Sequence, residues 1–149
     1  MRPPTYLSDI QATIAYLQSL GNVQKEAIGS IGFCFGGHVV YLAATLPEIK
    51  ATASFYSGGI ATTAIGAGEP TITHTGEIKG TLYAFFGEQD SAIPLERVDQ
   101  IADALNEFGI PHRIFRYSDA GHGFFCDKRA SYNSDAATEA WAKVLDLFQ

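Results

Sequence analysis

Cysteine is scarce: the chain has two in 149 residues, Cys34 and Cys126. That excludes a disulfide-stapled scaffold, and no C-x-x-C spacing is present. The four histidines form no H-E-x-x-H pattern, so no metal is expected. Positive charge is also short. Ten Lys and Arg stand against sixteen Asp and Glu, for a formal net charge of −6, and no basic cluster occurs. Nucleic acid and anionic membrane are therefore not expected as partners. No apolar run reaches the ~18 residues of a membrane-crossing helix. The first residues lack the basic-then-apolar pattern of a signal peptide. With no export signal, a reduced, cytoplasmic setting is the expectation. Repeats and low-complexity segments are missing too. What remains is 46% hydrophobic, enough for one core, and the length fits a single domain over 1–149.

The spacing predicts alternating helices and strands. After a short extended lead-in, Arg2-Pro3-Pro4, Tyr6, Leu7, Ile10, Ile14, Leu17 and Leu20 recur at helical spacing. Ser8 and Gln11 would form a capping box if that helix starts late. Residues 27–33 read as a parallel strand buried on both faces. A helix over about 36–46 is stopped by Pro47. Residues 49–56 form a second strand, and 60–79, rich in Gly, Thr and Ala, a long loop that could wall a substrate site. A third strand spans 81–87, followed by a helix from Pro94 to Phe108 that ends at Gly109. His112 to Tyr117 form a fourth strand whose polar members suggest a sheet edge. A last helix runs from near Ser134 to Phe148. Strands alternating with helices imply parallel pairing with right-handed crossovers. Ligands of such sheets bind beyond the C-terminal strand ends.

One stretch organises the rest: Ile28-Gly29-Ser30-Ile31-Gly32-Phe33-Cys34-Phe35-Gly36-Gly37-His38. It reads as a strand running through Gly32-x-Cys34-x-Gly36 into a helix. This is the α/β-hydrolase nucleophile elbow with cysteine in place of serine. Such a turn strains the nucleophile's backbone and requires small neighbours two residues away. It sets Cys34 at a helix N-terminus, which favours a thiolate. The Phe35 backbone N–H can then face a developing oxyanion. Asp90 follows the third strand and His122 the fourth, giving the order nucleophile, acid, base. In that reading Cys34 attacks a carbonyl, His122 relays the proton, and Asp90 fixes the His122 tautomer. Plainer readings stand beside it. Asp90 could be a turn or N-cap residue, Asp119 a rival partner for His122, and His122 a surface-turn histidine. His38 reads as structural, His74 as solvent-exposed, His112 as a strand-start residue and Cys126 as a partly buried bystander.

Gly32-Phe33-Cys34-Phe35-Gly36-Gly37, Phe86-Gly87-Glu88-Gln89-Asp90 with Pro94, Ala120-Gly121-His122-Gly123-Phe124 and the tail from Tyr132 to Phe148 together resemble the dienelactone hydrolase (carboxymethylenebutenolidase) family. The resemblance runs from about Tyr6 onward. It implies an α/β fold with an α/β-hydrolase-type parallel sheet, of which about four strands are visible, flanked by helices and lacking the usual N-terminal strands. It also implies cofactor-free hydrolysis of a small ester or lactone through an acyl-thioester. Carried over, the triad is Cys34, Asp90 and His122, with Phe35 N–H in the oxyanion hole. Family members are usually longer. Their upstream part supplies a second oxyanion N–H, a carboxylate that controls the cysteine's protonation, and one arginine for the substrate carboxylate. Another such arginine stands four residues past the histidine, where this chain has Cys126; Lys128 and Arg129 are nearby but not equivalent. The strand at 27–33 would normally be paired on both sides. A homodimer, or an N-terminal partner segment, is therefore expected to cover its open edge. The alternative is a catalytically silent C-terminal half that binds a small molecule or needs such a partner.

Overall fold

The computed structural model describes residues 3–149, with side-chain surroundings from residue 5 onward; Arg2 of the expected lead-in lies outside the described residues. Helix α1 spans Pro3–Ser19, strand β1 Ile28–Phe33, α2 Phe35–Ala43, β2 Ile49–Phe55, β3 Thr81–Gly87, α3 Leu95–Glu107, β4 His112–Tyr117 and α4 Ser134–Leu147. The four strands form one parallel sheet in the order β1-β2-β3-β4. This is the α/β architecture expected.

The boundaries differ at a few points. Pro3 and Pro4 belong to the first turn of α1 rather than to an extended lead-in, because that turn has no intrahelical acceptor for the missing N–H. Ser8 consequently lies inside the helix and caps nothing. Helix α2 ends at Ala43, ahead of Pro47. The loop over 60–79 holds a 3-10 helix, Thr71–Glu77.

Two glycines show how the layers are arranged. A Cβ on Gly32 would fall on the Gly36 carbonyl of α2, whereas one on Gly29 would lie 2.6 Å from the Phe148 ring at the end of α4. Positions an odd number apart in a strand point to opposite faces. Helices α2 and α4 therefore cover opposite sides of the sheet. Helix α1 lies on the α2 side, where Ile14 packs with Ile28, Leu46 and Ile49.

On the α4 face, every strand contributes one phenylalanine at the same level. Phe33 pairs in register with Phe55, Phe55 with Phe85 and Phe85 with Phe115. Ring centroids are 4.8, 4.3 and 4.9 Å apart along this row. Phe55 and Phe85 are fully buried. Phe33 remains 37% exposed and its neighbour Ile31 38%, which corrects the expectation of a strand buried on both faces. The physical reason is position: β1 is an edge strand, paired only with β2 among the described residues. Trp141, Leu145 and Phe148 of the adjoining α4 end are also exposed, so an apolar surface continues from the β1 edge onto that helix.

Phe85→Ala is expected to cost about 3–5 kcal/mol of unfolding free energy by cavity formation. Phe33→Ala should cost distinctly less, because less of its ring is withdrawn from water. Urea denaturation of the two variants beside the parent chain checks the difference.

Candidate active site

The strand-to-helix turn after β1 holds Cys34 at φ 57°, ψ −122°, a region in which a residue with a Cβ is strained. Its own N–H donates to the Phe55 carbonyl at 3.0 Å, which anchors the turn to β2. The turn is tight because the Gly36 backbone crosses Gly32 where a side chain would otherwise stand. The expectation that both flanking positions must be small is only half met. A Cβ on Gly36 would meet nothing within 4 Å. The second steric requirement falls instead on Gly37, where a Cβ would strike Ser57 Oγ and come within 2.7 Å of the Phe55 carbonyl. Helix α2 thus presses on β2 one residue later than the motif suggests. Phe35 is the first residue of α2, so its N–H has no intrahelical acceptor.

Asp90 and His122 come from two loops stitched together. Glu88 N–H donates to the Tyr117 carbonyl and Gln89 N–H to that of Ala120, each at 2.9 Å. The Gln89 side-chain amide donates to Ser118 O at 3.1 Å. A Cβ on Gly87 would collide with the Ala120 carbonyl, so glycine is what lets the loops approach. Asp90 is 5% exposed. One of its carboxylate oxygens accepts from Ala92 N–H at 3.0 Å, and the other from His122 Nδ1–H at 2.7 Å. His122 Nε2 then lies 3.1 Å from Cys34 Sγ. With Nδ1 committed as donor, that contact is a thiol S–H donating to Nε2 or a protonated imidazole donating to a thiolate.

The structure therefore brings Cys34, His122 and Asp90 into one hydrogen-bonded chain beside Phe35 N–H. Asp119 does not meet His122; its carbonyl accepts from Asn133 Nδ2 at 3.1 Å. His74 Nδ1–H donates to Glu77 Oε2 at 2.7 Å near the surface. His112 opens β4, its Nδ1–H donating to Ile110 O at 2.7 Å. Cys126 is partly exposed and unpaired with Cys34. Among the described residues no cluster of His, Cys, Asp and Glu could hold a metal ion, and no helix is long and apolar enough to cross a membrane.

A tyrosine at the site escaped sequence reasoning. Tyr56, just past β2, has φ 35°, and its N–H donates to the Phe85 carbonyl at 2.7 Å. Its ring centroid is 5.1 Å from that of His122, so the phenol backs the imidazole. Burial pushes its hydroxyl up to about 12, which keeps it neutral there. No local pattern marks this residue: it reads as the end of an apolar strand. The Ala92 contact, by contrast, is an Asx turn that Asp90-Ser91-Ala92 could have signalled.

With this geometry in place, similarity to known proteins becomes informative. The profile described as "Dienelactone hydrolase family" matches residues 2–149. The chain belongs to the dienelactone hydrolase family. A Synechocystis sp. protein, provisionally named carboxymethylenebutenolidase, is 59% identical over 143 residues, covering 96% of this chain and 58% of the relative. A Bradyrhizobium sp. protein, provisionally named 2-oxo-3-(5-oxofuran-2-ylidene)propanoate lactonase, is 26% identical over 93% of this chain and 56% of its own length. A Klebsiella pneumoniae crystal structure, provisionally named a dienelactone hydrolase, superposes with TM-score 0.88 at 24% identity, covering 95% of this chain and 59% of the other. At that identity the match bears on the fold. The chain thus spans somewhat under three-fifths of these family relatives.

His38, one turn after Cys34, is 4% exposed. Its Nε2 lies 2.6 Å from Thr71 Oγ1. Burial pushes its imidazole below the usual 6.5, and a hydrogen bond to Gly58 backbone partly opposes the shift. The ring is thus held neutral and ties α2 to the loop beyond it.

Two measurements follow from these residues. Gly32→Ala should lose about 1–3 kcal/mol through overpacking against the Gly36 backbone. Gly36→Ala should be neutral or gain up to about 1 kcal/mol from helix propensity; denaturation midpoints of the pair distinguish steric need from motif membership. For His38, the unfolded chain takes up the proton at higher pH than the folded chain. The stability it contributes is complete above pH 6.5 and is lost as pH falls below that value towards the folded pKa. In His38→Gln that part of the decline should be missing from stability measured against pH.

Proposed function

We propose that this chain carries the catalytic machinery of a cofactor-free cysteine hydrolase acting on a small ester or lactone. The observation that carries the reading is the hydrogen-bonded series Cys34 Sγ, His122 Nε2, His122 Nδ1, Asp90, at 3.1 and 2.7 Å. His122 accepts the Cys34 proton as sulfur attacks the substrate carbonyl carbon. The carbonyl π electrons move to oxygen, which the Phe35 N–H faces at the start of α2. Collapse of that intermediate breaks the bond to the leaving oxygen, which takes the proton from His122 Nε2. An acyl-thioester on Cys34 remains. Water then attacks it with His122 as base, the acid departs and the thiol is restored. Asp90 holds the imidazole tautomer throughout, and its near-complete burial makes the charge pair with imidazolium effective. Family membership and the lactonase name of a relative support the same substrate class. The arginine that the enol-lactone hydrolases carry four residues past the histidine is replaced by Cys126, which favours substrates less dependent on a carboxylate clamp.

A second reading rests on a separate observation. The β1 edge is open, Ile31, Phe33, Trp141, Leu145 and Phe148 are exposed beside it, and the chain spans 58% of the Synechocystis relative. In this reading an N-terminal segment of the kind the relatives possess, or a second copy of the chain, covers the edge, and the 149-residue chain alone is silent.

The deciding experiment is turnover of p-nitrophenyl acetate by this chain beside Cys34→Ala. Repeated turnover that the substitution reduces by about 10³-fold or more supports the hydrolase reading. A single stoichiometric burst means that acylation occurs without deacylation. Equal inertness of the two defeats the reading for the 149-residue chain and favours the second.

A further inference from the structure

A cavity of about 280 Å³ opens beside the elbow, lined among others by Tyr6, Phe35, His38, Gly59, Ala64 and Ile65. Phe35 directly follows Cys34, and His38 stands one turn further along α2. On the other side, Gly58 and Gly59 belong to the segment that leaves Tyr56, the residue backing His122. The cavity is therefore bounded by two segments that meet the candidate triad. No Asp, Glu, Lys or Arg lines it. Tyr6 and Phe35, both lining residues, meet edge to face at 5.7 Å, so the start of α1 supplies one wall.

The opposite wall is a built structure, not a loose loop. Thr63 N–H donates to Gly59 O at 2.8 Å, Thr71 N–H to Thr63 O at 3.1 Å, and Ile72 N–H to Ile60 O at 2.9 Å. The His38 contact with Thr71 at 2.6 Å pins this loop to α2, and Ile65 is buried. A preformed recess of this size, lined mainly by apolar groups, suits a small neutral group.

We infer that this recess is the acyl pocket, and that the substrates are open-chain esters whose acyl side is a short, uncharged aliphatic chain. The inference rests on the hydrolase reading and extends it by direction. The leaving oxygen must take its proton from His122 Nε2, so the leaving group lies on the His122 side of sulfur. The oxyanion faces Phe35 N–H. The remaining substituent of the tetrahedral carbon then points away from His122, and the recess begins at Phe35, the residue after Cys34. Ala64 sits on the wall, where a larger side chain would occupy the space. His38 is a positioning residue for that wall.

The test compares p-nitrophenyl acetate with p-nitrophenyl butyrate for the parent chain and Ala64→Leu. Two further buried methylenes are expected to raise kcat/KM for butyrate roughly tenfold over acetate. Ala64→Leu should collapse that ratio to near one, mainly by raising KM for butyrate. A flat profile in the parent, or a ratio untouched by Ala64→Leu, overturns the assignment. Failure to turn over any ester defeats the hydrolase reading, but the recess is still read by methyl and butyl methanethiosulfonate. Each forms a disulfide with the Cys34 thiolate and releases methanesulfinate, with no hydrolysis needed. Faster butyl than methyl labelling of Cys34, by peptide mass mapping, with the excess lost in Ala64→Leu, supports the pocket. Equal rates in both proteins overturn it.

Discussion

The in-register row of Phe33, Phe55, Phe85 and Phe115 is the contact on which the rest of the molecule depends. One large ring per strand, at one level, fixes the sliding position of four parallel strands at once. A slip of one residue in any strand would send its ring to the opposite face. Because the row sits next to the C-terminal ends, it also levels the places where the chain leaves the sheet. Cys34 follows Phe33, Tyr56 follows Phe55, and β3 runs only two residues past Phe85 before the loop to Asp90. Cys34, the ring that backs His122, and Asp90 are thereby delivered to one rim.

Above that rim, close backbone approach takes over from side-chain packing. The elbow closes because Gly32 leaves room for the Gly36 carbonyl and Gly37 leaves room for Phe55 and Ser57. The loops that carry Asp90 and His122 close because Gly87 leaves room for Ala120. The same segments exchange backbone hydrogen bonds, from Cys34 N–H to the Phe55 carbonyl at the elbow and from Gln89 N–H to the Ala120 carbonyl between the loops. Strain at Cys34 and Tyr56, the two non-glycine residues at positive φ among the described residues, is held by these contacts. Both residues lie at the candidate site, where such strain tends to gather.

The same row is incomplete at β1. Its last ring, Phe33, is covered on one side by Phe125 at 5.3 Å but is otherwise partly open to water. The exposed residues of α4 continue that surface. An edge of this kind is an association hazard, and the relatives are longer chains. The end of the sheet that carries Cys34, Asp90 and His122 is assembled in these 149 residues, whereas the β1 flank presents apolar surface to water.

The sequence by itself determined the element order, the parallel α/β class, the elbow, and the three residues Cys34, Asp90 and His122 that follow strand ends. These are local or ordinal properties: hydrophobic period, glycine spacing and position along the chain carry them. Tertiary structure alone decided the rest. It chose Asp90 over Asp119 as the partner of His122, because two loops far apart in sequence are joined by backbone hydrogen bonds. It placed Tyr56 behind the imidazole and made Gly37, not Gly36, the sterically required glycine. It also left β1 half-exposed where an apolar run had suggested full burial. Each of these depends on which backbone lies across the sheet or beyond a strand end. No residue's own neighbours in the chain encode that.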